Sequence, residues 1–170
     1  DEDIFDYNLK TVSQFHDIIV RAEYKGKTYW MCPWKRYMPI NATDWALKGV
    51  KVVSVNAKTG KIEKIPLDKP EDNKSSITGE VTFDPDEGTA RLVKTYVYNQ
   101  YDSYYWRSIL NTMSSEDEKK QYVETSLKNS YGDETILNSY SATDLKDLSK
   151  PVTMVRDFTI PYEFEELGDQ

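Results

Sequence analysis

Residues 14–39 have the sequence QFHDIIVRAEYKGKTYWMCPWKRYMP, and most of what the chain predicts about its fold follows from this stretch. Residues 14–24 and 27–31 are rich in β-branched and aromatic side chains, and Lys25 and Gly26 lie between them. A two-residue loop that contains glycine suits the positive φ angles of a tight β-hairpin. The sequence therefore predicts an antiparallel hairpin that pairs Tyr24 with Lys27.

The predicted register also decides which side chains share a face, because side chains alternate along a strand. It places Ile19 opposite Cys32 and Arg21 opposite Trp30. One face is mostly apolar and is expected to pack on a core, with His16, Ile18, Val20, Ala22, Tyr24, Tyr29 and Met31. The other face is mixed and is expected to border a cleft, with Asp17, Ile19, Arg21, Glu23, Trp30 and Cys32.

His16 and Cys32 are the only histidine and the only cysteine of the chain, which suggests a catalytic dyad. A neighbouring imidazole can activate a thiolate. The predicted register places the two on opposite faces, so we expect a core histidine and a half-buried structural thiol. A slip of one residue would restore the dyad. Asp17 and Cys32 share a face as near-diagonal neighbours, about 7–8 Å apart at Cα, as a triad carboxylate and its histidine would.

Two segments of this stretch resemble the second half of a transglutaminase-like active site. Residues 15–20, FHDIIV, are similar to the family pattern Phe-Asn-His-Val-Ile-Val, and residues 26–33, GKTYWMCP, to Gly-Lys-x-Tyr-Trp-Leu-Asp-Ala. The resemblance implies that Asp17 replaces the catalytic histidine and Cys32 the catalytic aspartate. The nucleophilic cysteine of that family belongs to an earlier helix, which we expect to lie upstream of Asp1.

The resembling proteins are bacterial multidomain transglutaminase-like proteins, and this similarity implies a domain organisation. Residues 1–66 would be the C-terminal portion of a transglutaminase-like core, and residues 74–170 a β-sandwich-like domain. The polar residues 66–73 form the candidate boundary. The family also implies an exported protein, in the periplasm or at the cell surface.

The remaining sequence predicts a mainly β fold with a minor α part, an α+β class. Short strands are expected at residues 50–55 and 61–65, and a last strand at 152–160. Residues 75–83 and 89–98 predict a long hairpin around the turn-forming residues 84–88, DPDEG. Helices are expected at about 102–130, where four apolar side chains share one helical face: Trp106, Ile109, Leu110 and Met113. Ser115 and Glu118 have the spacing of a capping box that begins a second helix.

Three further groups of residues have a functional and a structural interpretation. Asp84, Asp86, Glu87 and Gly88 could bind calcium, although a simple turn explains them better. An aromatic run could stack on sugars, although core packing explains most of it: Tyr96, Tyr98, Tyr101, Tyr104, Tyr105 and Trp106. A second aromatic cluster could line a groove for a peptide or a glycan: Trp30, Trp34, Tyr37 and Trp45.

Composition excludes several classes of partner for the 170-residue chain. A net charge of -7 opposes binding to nucleic acid. No apolar run reaches the ~18 residues of a membrane span. A single cysteine excludes an intrachain disulfide and a cysteine-rich zinc site, and we expect no metal or cofactor.

Three functions remain open at the level of sequence. The first is a non-catalytic interaction or structural module whose partner is a peptide, a protein or a glycan. The second is part of an active cysteine amidase or peptidase with an upstream nucleophile, although a carboxylate with a pKa near 4 would be a weak base at neutral pH. The third is a glycan- or peptide-binding module that uses the aromatic clusters.

Overall fold

A computed structural model of the protein describes residue 15 and residues 17–40, 42–56, 59–143 and 145–162. Strands hold 39% and helices 24% of the described residues, which confirms the mainly β, α+β class. The helices are α1 (Gln100–Leu110) and α2 (Glu116–Tyr131). The strands are β1 (Val20–Tyr24), β2 (Lys27–Met31), β3 (Lys51–Val55), β4 (Gly60–Lys64), β5 (Ser76–Asp84), β6 (Thr89–Tyr98), β7 (Ile136–Ala142) and β8 (Val152–Pro161).

The first hairpin, β1–β2, has the predicted turn and register. Tyr24 pairs with Lys27, and the ladder continues to the pair of Val20 and Met31. Lys25 and Gly26 have φ angles of 49° and 73°, as a two-residue turn of the mirror-image type requires. The ladder stops one pair before the predicted pairing of Ile19 with Cys32.

The mixed face of the first hairpin borders a cleft, with Ile19, Arg21, Glu23 and Trp30 in its lining, and the prediction that the apolar face packs on a core is wrong. Trp30 and Cys32 are 9% and 5% exposed, whereas Ile18 on the opposite face is 80% exposed. Trp30 is buried because the second hairpin, β3–β4, packs on that side of the first hairpin. On the side of Trp30, Arg21 forms an ion pair with Glu63 of the second hairpin, β3–β4, at 3.2 Å between Nε and Oε2.

The rest of the chain builds one four-stranded antiparallel sheet in the order β5-β6-β8-β7. Helices α1 and α2 connect β6 to β7 and form the second layer, whereas the sequence predicted a β-sandwich-like domain in which the helices were an insertion. Side chains of β6, β7 and β8 meet the helices in two core clusters. The first contains Ala90, Leu92, Val123, Leu127, Leu137 and Phe158. The second contains Tyr96, Leu110, Leu145, Val152 and Met154.

Both helices begin and end near the predicted positions. Ser115 caps α2, because its hydroxyl accepts a hydrogen bond of 3.1 Å from the backbone N–H of Glu118. Gly132, at a φ of 103°, ends α2 in a conformation that glycine adopts readily. Leu110 of α1 is fully buried and Trp106 of α1 packs partly buried against the second cluster, as does Met113 after the end of the helix, so three of the four predicted apolar residues contact the core.

Strand β7 is an element that the sequence analysis did not predict. It pairs with β8, and its ladder is irregular around Asn138. Most side chains of β7 are polar or half-exposed, which removes the clear alternation that identifies strands in sequence. In the part of the chain that the structure describes, no helix is long and apolar enough to cross a membrane.

Candidate functional site

An apolar cleft of about 590 Å³ lies where the first hairpin meets the loop between β7 and β8. Strand β2 contributes one wall, the segment after it contributes another, and the loop closes the third side. The lining residues are Lys27, Tyr29, Met31, Cys32, Met38, Pro39, Ile40, Leu148 and Ser149. Thioether and aliphatic groups dominate this lining, and methionine side chains adapt their shape to what they contact. The cleft can therefore hold an apolar group more readily than a charged one.

The segment that forms the second wall is fixed by local backbone bonds and by Lys35. The backbone N–H of Lys35 donates to the carbonyl oxygen of Cys32 at 3.0 Å, and its carbonyl accepts from Met38 at 2.9 Å. The ammonium group of Lys35 lies 5.2 Å and 4.9 Å from the ring centres of Tyr101 and Tyr104 on α1. This contact joins the second wall of the cleft to helix α1.

Lys35 also forms an ion pair with Asp44, whose other oxygen caps the short 3-10 helix Trp45–Leu47. Burial by itself would lower the pKa of the Lys35 ammonium group. The hydrogen bond and charge of Asp44, together with the rings of Tyr101 and Tyr104, outweigh burial and raise the pKa above its ordinary value. Lys35 is therefore a charged structural anchor and not a proton donor at neutral pH.

The two residues at the predicted vestigial catalytic positions differ in their surroundings. Cys32 is 5% exposed and its side chain lies in the cleft lining, whereas Asp17 is exposed and precedes β1. Because β1 begins only at Val20, no strand ladder fixes Asp17 next to Cys32 as the predicted register required. His16 lies outside the described residues, so its predicted face and the dyad alternative remain predictions.

The aromatic cluster predicted around the cleft is dispersed in the structure. Trp30 is buried, lies 5.7 Å from the guanidinium carbon of Arg21, and lines a second cleft of about 350 Å³ between the two hairpins. Trp34 and Trp45 are 47% and 69% exposed, and Tyr37 is half-buried. Only Trp30 of these four lines either cleft. Among the described residues, Tyr29 is the one aromatic residue that lines the apolar cleft.

Half of the second aromatic run forms core contacts on β6 and α1, namely Tyr96, Tyr98 and Trp106, whereas Tyr101 and Tyr104 contact Lys35 and Tyr105 is 49% exposed. The rings of Tyr96 and Tyr98 stack at 5.8 Å, and Tyr98 and Trp106 contact at 5.4 Å. Burial raises the pKa of Tyr98 to about 12, although the charge of Arg156 opposes the shift. Tyr98 therefore stays neutral and packs as an apolar ring.

Arg156 is a buried charge that the sequence analysis missed. It is 6% exposed and lies on the helix-facing side of β8, with Nε donating to the sulfur of Met154 at 3.0 Å. The sequence feature that could have indicated this burial is the position of Arg156 within the mostly apolar last strand. Its environment belongs to the core and not to either cleft.

Residues 84–88 form a turn, as predicted. Asp84 accepts a hydrogen bond of 3.2 Å from the backbone N–H of Glu87, and Gly88 has a φ of 61°. Within residues 17–40, 42–56, 59–143 and 145–162, no group of three or more acidic, histidine or cysteine side chains is placed to hold a metal ion.

Comparison with known proteins gave no match to a family model, to a curated protein or to a solved structure. The transglutaminase-like resemblance, and the exported location that it implies, therefore stay predictions. The function has to be argued from the geometry of the chain itself.

Proposed function

We propose that this chain is a non-catalytic interaction module that binds a short apolar segment of a peptide or protein in the cleft between the first hairpin and the loop before β8. The observation that carries the proposal is the lining of that cleft. It combines Met31, Met38 and Ile40 with the ring of Tyr29, and it contains one charged residue, Lys27. Ligand sites of this size are mostly apolar with a few polar groups that orient the ligand.

The exposure of the surrounding surface supports the same proposal. Ile40, at the rim of the cleft, is 63% exposed, and Val20 and Tyr24, on the same face of the first hairpin as Tyr29 and Met31, are 42% and 62% exposed. An apolar segment bound in the cleft would extend over this surface and remove it from water. Each aliphatic side chain buried in this way is worth about 1.5–3 kcal/mol.

The positions inherited from the transglutaminase-like resemblance support a module without its own catalysis. Cys32 is buried at the cleft, and Asp17 is exposed before β1, where no described strand pair holds it next to Cys32. In the exported protein that the resemblance implies, such a module would recognise a peptide or protein partner outside the cytoplasm.

Selection from a displayed library of random decapeptides tests the proposal. We expect enriched peptides to share two or more adjacent apolar residues and to bind Ile40→Asp at least tenfold more weakly than the unmodified chain, because one apolar contact is worth about 1.5–3 kcal/mol. Leu67→Asp is the matched control, since Leu67 is 73% exposed and lies outside the cleft lining.

Two results would remove the proposal. One is equal loss of binding in Ile40→Asp and Leu67→Asp, or no enriched peptide at all. The other is turnover of a fluorogenic peptide amide, with or without an amine donor, that disappears in Cys32→Ala. That second result would establish the enzyme alternative. A library of immobilised glycans, assayed beside the peptides, separates the glycan-binding alternative.

A further inference from the structure

Strand β5 is the edge of the four-stranded sheet, and its outer edge has no partner strand among the described residues. It pairs with β6 alone, through nine consecutive residue pairs with no shift of register. All nine residues are exposed. Such a strand offers a regular row of backbone N–H and C=O groups to another chain.

One face of β5 is apolar and is left uncovered by the helices. Ile77, Val81 and Phe83 are 64%, 49% and 50% exposed, and neither core cluster contains a residue of β5. The ring of Tyr162 lies 5.0 Å from that of Phe83 and extends this surface. We call Ile77, Val81, Phe83 and Tyr162 the edge patch.

Strand β5 also lacks three of the features by which edge strands usually avoid pairing, although it carries the charged residues Glu80 and Asp84. Lysine, proline and a β-bulge discourage edge-to-edge contact, and residues 76–84, SITGEVTFD, contain none of them. The other edge strand, β7, has an irregular ladder at Asn138. The two edge strands therefore differ in regularity, and the regular strand β5 is the better suited to pair with another strand.

We propose that β5 pairs antiparallel with β5 of a second copy of this chain, about a twofold axis at Val81. Two four-stranded sheets would then form one eight-stranded sheet. The two edge patches would lie side by side on the same face, since antiparallel pairing about an odd-numbered residue keeps odd positions together.

The sequence of β5 is complementary to itself in this register. Phe83 lies opposite Gly79 of the second copy, so an aromatic ring covers a position that has no side chain, an arrangement that compensates for glycine in a strand. Glycine suits this position, because a Cβ there would lie 3.1 Å from Cγ of Lys94. Glu80 lies opposite Thr82 of the second copy. A twofold axis at Glu80 would instead place the two Glu80 side chains opposite each other, and their like charges would repel.

The charges that flank β5 favour the same antiparallel arrangement. Lys74 lies just before the strand, and the strand ends at Asp84, before a turn that contains Asp86 and Glu87; all four residues are exposed. The axis at Val81 places Lys74 of one copy opposite Gly88 of the other, next to that acidic turn. Parallel pairing would instead place the acidic turn of one chain beside the acidic turn of the other.

Sedimentation over about 1 µM to 1 mM, the range expected for weak association, measures the proposed dimer. We expect the unmodified chain to dimerise and Val81→Lys to weaken dimerisation at least tenfold, because two ammonium groups would meet at the axis. Ile136→Lys is the control, since Ile136 is an exposed apolar residue of the opposite edge strand. A chain that stays monomeric throughout, or that dimerises equally well as Val81→Lys, overturns the proposal.

Oxidative cross-linking tests the register without relying on a charge substitution. Val81→Cys should form a disulfide-linked dimer, because the two residues face each other across the axis. Ile77→Cys should not, because four residues on each side separate the two cysteines by about 27 Å at ~3.4 Å per residue. Cross-linking of Ile77→Cys as efficiently as Val81→Cys rejects the proposed register. If the chain stays monomeric and β5 pairs only with unrelated extended peptides, the proposal that a second copy pairs with β5 is wrong.

Discussion

The guanidinium carbon of Arg156 lies 5.0 Å from the centre of the Trp106 ring, and this contact joins the central strand β8 to helix α1. The ring of Tyr96 lies on the same guanidinium group at 4.6 Å. Among the described residues, no carboxylate forms an ion pair with Arg156. Aromatic faces therefore provide the compensation for this buried cation, because their negative faces attract positive charge.

Trp106→Ala should lower the free energy of unfolding by about 2–3 kcal/mol. A fully buried aromatic ring costs about 3–5 kcal/mol on truncation, and Trp106 is half-buried, so the loss is smaller. Urea denaturation followed by circular dichroism measures the change. Trp45→Ala is the matched control, since Trp45 is 69% exposed and should cost less than about 0.5 kcal/mol. Equal effects of the two variants would contradict the packing of Trp106.

Arg156→Met should leave the free energy of unfolding unchanged or raise it by up to about 2 kcal/mol. Burying a guanidinium group costs several kcal/mol of desolvation, and its Nη2 atom has no hydrogen-bond partner, so an apolar side chain of similar length relieves both costs. A loss above about 3 kcal/mol would instead show that the aromatic contacts outweigh desolvation.

Arg156→Lys is the paired variant for the same site and should destabilise the protein by about 1–2 kcal/mol. It keeps the charge to be desolvated but loses the guanidinium group, whose carbon lies 4.6 Å and 5.0 Å from the ring centres of Tyr96 and Trp106. The order of stability predicted from equilibrium denaturation is Met at or above Arg, and Lys below both.

Asp157 should make stability depend on pH in the acid range. Hydrogen bonds from Arg91 and Asn138 lower the pKa of this carboxyl group from 3.8 to about 2. Because the folded-state pKa lies below the unfolded one, the contribution of Asp157 is complete above about pH 4 and is lost as the pH falls through about 2. Between these values, the unmodified chain should lose more stability than Asp157→Asn in denaturation experiments.

The pKa of Asp157 can be measured directly by carbon NMR of its carboxyl group. Arg91→Gln removes the donors that lie 2.9 Å and 2.6 Å from the two carboxylate oxygens, so the measured pKa should rise towards 3.8. An unchanged pKa in Arg91→Gln would show that the guanidinium group does not hold the carboxylate in solution.

Lys35 and Tyr104 should be energetically coupled across the contact between the residue 33–40 segment and α1. A double-mutant cycle with Lys35→Met and Tyr104→Leu should give a coupling energy of about 0.5–1 kcal/mol, the range for a partly exposed cation on a ring. The control cycle pairs Lys27→Met with Tyr104→Leu, because the ammonium group of Lys27 lies on Tyr29 instead. In this control cycle, the changes in free energy of unfolding caused by the two substitutions should be additive.

Several features of the fold could be predicted from sequence because they depend on residues close together in the chain. Lys25 and Gly26 fix the turn of the first hairpin and thus its register. Ser115 caps α2 and Gly132 ends it, since capping involves groups within one helical turn. The turn at residues 84–88 likewise sets the hairpin of β5 and β6.

The features that form the candidate site were decided by tertiary structure. The sequence did not show that the first hairpin would bury Trp30 and Cys32, because alternation defines two faces and leaves open which of them another element covers. The weakly patterned β7 is a strand because it pairs with β8, and the helices form the second layer because they cover three strands of one sheet.

Arg156 and Lys35 show the same division in single side chains. Sequence identifies both as charged residues, which usually lie at the surface. The fold places Arg156 between Tyr96 and Trp106 and places Lys35 on Tyr101 and Tyr104. Sequence determined the local turns, caps and register, because neighbouring residues are enough to define them. Tertiary structure decided burial, the apolar cleft and the exposed edge of β5, because each depends on surfaces that are far apart in the chain.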